Sequence, residues 1–372
     1  MPLPFNPSLK HLPVYQPGRP IEEVARELGL PGADLIKLAS NENPLGPSRL
    51  ALAAMRRALA QAQLYPDGNA FYLKQKLAAK LGVTPANLVL GNGSNEVLEL
   101  VAHALLGPDA EAVVSQHCFA IYPIVTALFG ARLVVVPARQ YGHDLEAMRA
   151  AITPATRVVF VANPNNPTGT AVPPAELLRF VQAVPENVVL VLDEAYIEFV
   201  EAPLDLAPEI QNGRLPNVIL LRTFSKIYGL AGLRLGYGIG HPDFIAELEK
   251  IRQPFNVNAI AQAGALAALD DAAHAERTRR NNARGLKFYA RAFRKLGLEF
   301  IPSFANFILV RVGEGQRVFE AMQKLGVIVR PMGGYGLPEW VRISIGTPTQ
   351  NQRCRQALAE ALTSSAASGG RV

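Results

Sequence analysis

Lys226 is the residue of this chain whose position first suggests chemistry. It lies in TFSKIYGLAGLRLGYGIG (223–240), between an apolar run that predicts a strand and a glycine-rich stretch that also holds Arg234. If the Lys226 side chain is buried at the end of that strand, burial would lower the pKa of its amine and make the amine nucleophilic. An exposed lysine in a loop is the commoner case. The polar residues elsewhere in the chain decide between these two interpretations.

Two further polar residues follow predicted strands. Asp193 ends the apolar run of VVLVLDEAY, where a carboxylate is costly to bury unless a cation or a strong donor pairs with it. Capping of a helix N-terminus is the structural alternative for Asp193. Asn166 lies in NPNNPTG (163–169), where a turn explains the prolines and the glycine but requires no second amide. Both residues are therefore candidates for ligand contacts at the end of a sheet.

The segment GNGSNE (91–96) joins a predicted strand to a predicted helix. Backbone N–H groups at such a helix start bind anions, and glycine lets a ligand approach the backbone closely. Gly93, Ser94 and Asn95 are therefore candidates for a phosphate site, although the segment matches neither the Walker nor the dinucleotide-binding motif. An ordinary capped turn between strand and helix explains these residues equally well.

One chemistry would use all of these groups, namely that of a ring cofactor with an aldehyde, a ring nitrogen, a phenolic oxygen and a phosphate. The aldehyde would bond to a lysine amine, and the protonated nitrogen would need a buried carboxylate so that the ring withdraws electrons. The phenolic oxygen would need neutral donors, the phosphate a helix start with a hydroxyl and an arginine, and the ring an aromatic face. The chain offers Lys226 for the aldehyde, Asp193 for the ring nitrogen, and Asn166 and Tyr196 for the phenolic oxygen. For the phosphate it offers Gly93, Ser94, Asn95, Ser225 and Arg234, and for the aromatic face Phe119 in QHCFAIYP.

The elements that must position these residues can be read from the apolar pattern. Seven short apolar runs between residues 88 and 240 alternate with helical stretches, which predicts an α/β fold with a mainly parallel, seven-stranded sheet sandwiched by helices. Ligands of such sheets bind beyond the carboxyl ends of the strands. We expect an N-terminal arm (1–36) that packs with the small domain, a large cofactor-binding domain (37–270) and a smaller α+β domain at the C-terminus (271–372).

The composition excludes several other classes of protein. With 49% hydrophobic and 18% charged residues, the chain fits a folded enzyme rather than a disordered protein. The net charge is +6, but the densest basic run (277–295) is typical of the solvated face of a long helix, so we expect no nucleic-acid partner. We expect no membrane partner and a cytoplasmic location, since no apolar run could span a bilayer or serve as a signal peptide. Cys118 and Cys354 match no metal or disulfide spacing, and we expect no metal site.

Seven motifs together resemble those of fold-type I, pyridoxal-phosphate-dependent aminotransferases of class II, and of histidinol-phosphate aminotransferases in particular. The likeness extends from VYQPGRP near the start of the chain to VRISIGT near its end. DEAY alone is weakly specific, but the whole set in this order and at these intervals is highly specific. The motifs are LASNENPLGPS (38–48), LYPDG (64–68), GNGSNE (91–96), NPNNPTG (163–169), DEAY (193–196), TFSKIYGLAGLRLGY (223–237) and VRISIGT (341–347).

The resemblance implies a role for each cofactor-binding candidate. It implies pyridoxal 5′-phosphate as the cofactor and Lys226 as the catalytic residue that bonds to it and then moves a proton. Asp193 would hold the ring nitrogen, Asn166 and Tyr196 the phenolic oxygen, and Phe119 would stack on the ring.

The resemblance also implies shared active sites and a set of substrate contacts. In relatives a tyrosine of the neighbouring subunit reaches the cofactor phosphate, and Tyr65 in LYPDG matches it, so we expect a homodimer. The substrate-binding residues would be Tyr15, Asn43, Arg330 and Arg342.

The chain departs from many relatives at His117, Cys118 and Phe119, where they have Pro-Thr-Tyr. The aromatic face is kept there, but the hydroxyl is absent.

The implied reaction is the reversible transfer of an amino group between L-histidinol phosphate and 2-oxoglutarate in histidine biosynthesis, with small molecules as the substrates. An aminotransferase of aromatic amino acids has nearly the same motifs, and a pyridoxal-phosphate-dependent decarboxylase of phosphorylated amino acids has the same cofactor site. A ligand-binding regulator built on the same domain is the non-enzymatic alternative. Kinetics with histidinol phosphate and phenylalanine, with an assay of CO₂ release, would separate the three enzymes.

Overall fold

A computed structural model describes residues 3, 5, 7–12, 14, 21–29, 31 and 34–369. The strands are β1 (Ile36–Lys37), β2 (Leu88–Asn92), β3 (Glu111–Ser115), β4 (Arg132–Val136), β5 (Thr156–Ala162), β6 (Val189–Asp193), β7 (Val218–Thr223), β8 (Leu235–Ile239), β9 (Phe300–Ile301), β10 (Phe307–Arg311), β11 (Val327–Ile328), β12 (Arg330–Pro331) and β13 (Trp340–Ser344). The α-helices are α1 (Ile21–Leu28), α2 (Arg49–Leu59), α3 (Phe71–Leu81), α4 (Ser94–Leu105), α5 (Ile121–Leu128), α6 (Leu145–Ala150), α7 (Pro174–Ala183), α8 (Ala207–Gln211), α9 (Pro242–Ile251), α10 (Ala259–Ala268), α11 (Ala272–Lys295), α12 (Gly315–Lys324) and α13 (Pro348–Gly369).

The larger sheet has seven strands in the order β2-β8-β7-β6-β5-β3-β4. β8 is antiparallel to both of its neighbours, whereas the other neighbouring strands are parallel. These strands are the seven apolar runs that the sequence predicted. The predicted α/β fold with a mainly parallel, seven-stranded sheet is therefore confirmed.

The central strand β5 is continuously apolar because both faces of the sheet are covered. Val159 and Val161 lie in a core with residues of α2, α3, α6, α7 and α10. Val158 and Phe160 lie in a second core with residues of α4, α5 and α9. Since successive side chains of a strand point to opposite faces, each residue of β5 needs an apolar environment.

The parallel strands β5, β6 and β7 end side by side. Ala162 is in register with Asp193, and Asp193 is in register with Leu221. Asn166 and Lys226 lie in the loops that leave β5 and β7, so they emerge beside Asp193 at the same edge. This topology brings together residues that are far apart in the sequence.

The C-terminal third forms a four-stranded antiparallel sheet in the order β12-β13-β10-β9. The run VIVRPM (327–332) is divided between two sheets. Val327 pairs in parallel with Ile36 of β1, whereas Arg330 pairs with Arg342 of β13. The pairing of β1 with β11 accounts for the division, because it directs the first half of the run away from β13.

The domain boundaries stay predictions. The predicted boundary after residue 270 falls between α10 and α11. The boundary after residue 36 falls inside β1, whose two residues pair with β11 in the C-terminal third. The contact of the early chain with the C-terminal third therefore continues through residue 37.

Candidate active site

A cavity of about 380 Å³ opens at the carboxyl edge of the large sheet and contains both Lys226 and Asp193. Residues from the first, middle and last thirds of the chain line it, so neither sheet forms it alone. The predicted site residues in its wall are Ser94, Asn95, Phe119, Asn166, Asp193, Tyr196, Ser225, Lys226, Arg234, Arg330 and Arg342.

Asp193 is a buried carboxylate with two donors. The Tyr122 hydroxyl donates to Oδ2 over 2.7 Å, and the backbone N–H of Ala195 donates to Oδ1 over 3.1 Å. Burial raises the pKa of Asp193, while the hydrogen bond from Tyr122 and the charge of Lys226 oppose that rise. The site thus contains a negative charge that is costly to bury and is suited to a cationic ring N–H.

Lys226 lies in the loop after β7 and lines the same cavity as Asp193. Burial lowers its pKa to about 8, and the positive charge of Arg342 acts in the same direction. Its Nζ lies 5.5 Å from the centre of the Tyr196 ring. An amine with such a pKa is partly neutral near physiological pH and can act as a nucleophile or a base.

Tyr196 is oriented by groups from the N-terminal and C-terminal parts of the chain. Its hydroxyl accepts a hydrogen bond from Asn41 Nδ2 over 3.0 Å, and its ring packs edge-on against Phe307 with centroids 5.3 Å apart. Asn41 is itself held by Ser344, whose Oγ accepts from the Asn41 backbone N–H over 2.8 Å and donates to Asn41 Oδ1 over 3.0 Å. The phenol is therefore placed by a buried network rather than by a single contact.

Arg342 and Asn166 form one unit in the cavity wall. Arg342 Nη1 donates to Asn166 Oδ1 over 2.5 Å, and Nη2 donates to the carbonyl of Ala39 over 3.0 Å. The guanidinium also lies 5.1 Å from the centre of the Phe307 ring. Arg330 pairs with Arg342 across β12 and β13 and lines the same cavity. Two guanidinium groups on one wall provide a site for an anionic substrate group.

The start of α4 and the segment around β8 meet so closely that only glycine fits. Gly93 has φ 78°, and a Cβ there would overlap the Arg234 guanidinium. A Cβ at Gly236 would overlap the backbone nitrogen of Ser94. Arg234 has φ 56°, a left-handed conformation that costs energy outside glycine and is typical of functional sites. The first N–H groups of α4 and the Arg234 side chain thus form a cradle for an anion.

Among the described residues, three of the predicted ones have no side chain in the cavity wall, and a fourth lies outside the described part of the chain. Gly93 shapes the wall only through its backbone. The Asn43 amide donates to the carbonyl of Ile227 over 2.9 Å and to Thr278 Oγ1 over 3.2 Å, and its side chain therefore supports the loop that carries Lys226. Tyr65 is 83% exposed in the described part of the chain. Tyr15 lies outside the described residues.

Sequence reasoning missed other residues of the site. Tyr122 contacts Asp193 directly, and Asn41, Glu42 and Tyr335 line the cavity. Tyr122 follows Phe119 closely in QHCFAIYP, and α5 begins between them, so a helical reading of that segment could have suggested it. Asn41 lies in LASNENPLGPS, the motif in which the resemblance points to Asn43 as the substrate contact.

The donor set fits pyridoxal 5′-phosphate. An amine, a buried carboxylate, a tyrosine with an amide, and an anion cradle occupy one cavity, which matches the four functional groups of that cofactor. Among the described residues, no group of three or more His, Cys, Asp or Glu side chains could hold a metal ion. The helices of the described part of the chain are all too short or too polar to cross a membrane.

Comparisons with known proteins agree with this geometry. A family model described as "Aminotransferase class I and II" matches residues 33–358. The chain is 54% identical over 358 residues to a histidinol-phosphate aminotransferase of Akkermansia muciniphila, covering 96% of this chain and 98% of that relative. It is 53% identical over 356 residues to histidinol-phosphate aminotransferase 1 of Thiobacillus denitrificans, covering 96% of this chain and 93% of that relative.

A solved structure supports the same assignment. The crystal structure of histidinol-phosphate aminotransferase from Sinorhizobium meliloti in complex with pyridoxal-5′-phosphate matches with a TM-score of 0.89 at 32% identity, over 97% of this chain and 98% of that chain. The similarity therefore covers both sheets and the cavity between them. The chain belongs to the class I and II aminotransferases, a pyridoxal-phosphate-dependent family, and within it to the histidinol-phosphate aminotransferases.

Proposed function

We propose that the protein transfers an amino group reversibly between L-histidinol phosphate and 2-oxoglutarate, with pyridoxal 5′-phosphate as its cofactor. The observation that carries the proposal is the placement of the Lys226 amine and the Asp193 carboxylate in one cavity with three arginines. The names of the relatives agree with it. Small molecules are the substrates, and a cytoplasmic location stays a prediction.

Bound pyridoxal phosphate would supply an aldehyde that bonds to amines and a ring that withdraws electrons from the carbon next to them. Lys226 is the group that would hold the cofactor and, once released, move a proton to and from the substrate Cα. Its pKa of about 8 suits both directions of transfer near neutral pH, because either protonation state is accessible.

Asp193 would keep the ring nitrogen protonated, because the buried negative charge of the carboxylate and the cationic N–H would stabilise each other. The Tyr122 hydroxyl and the Ala195 N–H hold that carboxylate in place. Tyr196 and Asn166 would donate to the phenolic oxygen. Around the phosphate, we assign Ser94, Asn95, Ser225 and Arg234, with Gly93 allowing the close approach.

Arg342 and Arg330 would bind the anionic group of the substrate. A guanidinium pairs bidentately with a carboxylate or a phosphate, so the same wall can receive glutamate and histidinol phosphate in turn. The hydrogen bonds of Arg342 to Asn166 and Ala39 fix its orientation before either substrate arrives. Preorganisation of this kind lowers the cost of binding.

We further propose a homodimer in which Tyr65 completes the site of the partner. Tyr65 stacks on Phe255 with ring centroids 4.9 Å apart, and both rings are exposed in the single chain. Leu64 and Tyr72 nearby are also exposed. An exposed aromatic patch of this kind favours a protein contact.

The test compares amino donors side by side with the purified holoenzyme. We expect kcat/KM for L-histidinol phosphate to exceed that for L-phenylalanine about 100-fold or more, because phenylalanine brings a singly charged carboxylate in place of the phosphate and a ring without polar atoms. No CO₂ should be released. Equal use of phenylalanine would instead favour the aromatic aminotransferase, and CO₂ release would favour the decarboxylase.

A further inference from the structure

A glycine-rich loop, residues 332–337 (MGGYGL), forms part of the cavity wall. It follows Arg330 in β12, and its Tyr335 lines the cavity together with that arginine. Gly333 and Gly334 are exposed, and a side chain added at either would meet nothing within 4 Å. The backbone N–H groups of Tyr335 and Leu337 donate to the Met332 carbonyl and close a turn within the loop. Because glycine is costly to hold in one conformation, a contact from outside the loop adds to the placement of Tyr335.

His117 makes such a contact from another part of the wall. Its buried ring lies with Nδ1 3.0 Å from the backbone carbonyl oxygen of Tyr335. A carbonyl can only accept, so Nδ1 carries the proton in the neutral ring as well as in the imidazolium. The His117 carbonyl in turn accepts from Asn165 Nδ2 over 2.8 Å, which anchors the segment that leads to Phe119.

We propose that His117 is a positioning residue that sets the preference of the enzyme for amino donors with a ring. By holding the Tyr335 carbonyl, His117 keeps the Tyr335 side chain in place in the cavity wall that also contains Phe119. A donor with a planar ring and a phosphate would contact this wall, whereas glutamate would depend mainly on the arginines. The inference rests on the proposed aminotransferase function.

His117 also packs against other rings, and this contribution can be separated from the hydrogen bond. The His117 ring lies 6.3 Å from the Tyr141 ring, which packs edge-on against Trp340 at 5.2 Å. His117→Leu keeps most of the volume but removes the donor. His117→Asn keeps an N–H donor at the position of Nδ1 but loses most of the ring packing. If the hydrogen bond is what matters, His117→Leu should impair the enzyme and His117→Asn should not. If the ring packing is what matters, His117→Asn should impair it more than His117→Leu.

The experiment measures both amino donors with each holoenzyme. We expect His117→Leu to raise the KM for L-histidinol phosphate roughly threefold to tenfold, the value of one neutral hydrogen bond, with kcat and the KM for glutamate changed less than about twofold. His117→Asn should restore the KM for histidinol phosphate. The visible absorbance of the bound cofactor should be unchanged in both variants.

A double-mutant cycle tests whether His117 acts through Tyr335. Tyr335→Ala alone should raise the KM for histidinol phosphate, and His117→Leu added to it should have no further effect. Amide hydrogen exchange at Tyr335 and Gly336 should be faster in His117→Leu than in His117→Asn. If His117→Leu does not fold, His117→Gln replaces it, because its longer amide reaches the position of Nε2 instead of Nδ1.

Three results would overturn the inference while leaving the proposed function intact: additive effects in the cycle, equal losses in the Leu and Asn variants, or equal rises of KM for both donors. A wild-type enzyme that does not use histidinol phosphate would overturn the proposed function itself and the inference with it. The two failures are therefore distinguishable.

Discussion

Tyr122 donates its hydroxyl to Asp193 Oδ2 over 2.7 Å, behind the wall of the cavity. The Tyr122 ring is stacked on Phe160 of β5 with centroids 4.8 Å apart and is completely buried. The tyrosine therefore cannot turn away from the carboxylate without disturbing the core. This contact opposes the rise in pKa that burial imposes on Asp193.

Replacing Tyr122 by Phe removes this donor and little else. A hydrogen bond to a charged group contributes about 1.5–3 kcal/mol, so we expect cofactor affinity to fall about tenfold or more. Titration of the apoenzyme with pyridoxal phosphate, followed by visible absorbance, measures the change. Tyr289→Phe is the matched control, because Tyr289 is also completely buried but lies in the core of the smaller sheet. Equal affinity in the two variants would contradict the role of Tyr122.

Lys226→Ala should abolish transamination and the visible absorbance of the bound cofactor.

In the wild-type apoenzyme, the pKa of about 8 for Lys226 makes capture of the cofactor pH-dependent. Only the neutral amine attacks an aldehyde, and the neutral fraction rises from about 10% at pH 7 to about 90% at pH 9. The rate of absorbance change after mixing should therefore increase through this range. A midpoint near the ordinary lysine pKa of 10.5 would show that burial does not act as described.

Arg342→Ala should raise the KM for both glutamate and histidinol phosphate, since both anions are proposed to bind the same guanidinium. Arg342→Lys should rescue little, because one ammonium cannot reach both Asn166 and Ala39 as the two Nη atoms do. Arg311→Ala, an exposed arginine on the neighbouring strand β10, is the control. An effect of Arg342→Ala on only one donor would argue against a shared anion site.

Tyr65 can be tested by mixing inactive subunits. A dimer of one Lys226→Ala chain and one Tyr65→Ala chain contains one site with both native residues if Tyr65 acts across the interface. Activity should therefore exceed the sum of the two separate variants after their subunits are exchanged. If Tyr65 acts within its own chain, every site lacks one of the two residues and mixing restores nothing. Size-exclusion chromatography with light scattering checks that the mixed species is a dimer.

The large sheet and most of the cavity wall could be predicted from the sequence, because local patterns encode them. Each parallel strand is a short apolar run, and the polar residue that ends it must lie at the common edge. Asp193, Asn166 and Lys226 meet in one cavity for this reason. The residues were predictable from their place relative to the strands.

The residues that sequence reasoning missed depend on contacts between distant segments. Asn41 reaches Tyr196 only because its backbone and side chain are bonded to Ser344. Tyr335 lies in the cavity wall because a loop between β12 and β13 turns there, and nothing in MGGYGL shows that orientation. The division of VIVRPM between two sheets likewise follows from its pairing with β1, a segment far away in the sequence.

Asn41 and Ser344 are 303 positions apart, and their hydrogen bonds hold the wall beside Tyr196. At a synthesis rate of 5–20 residues per second, Asn41 leaves the ribosome about 15–60 s before Ser344 does. The large sheet can form during that interval, but the cavity beside it stays incomplete until translation is nearly finished. A nascent chain should therefore gain its sheet before it gains affinity for vitamin B6, and a ribosome stalled before residue 340 should carry a folded chain that captures the cofactor poorly.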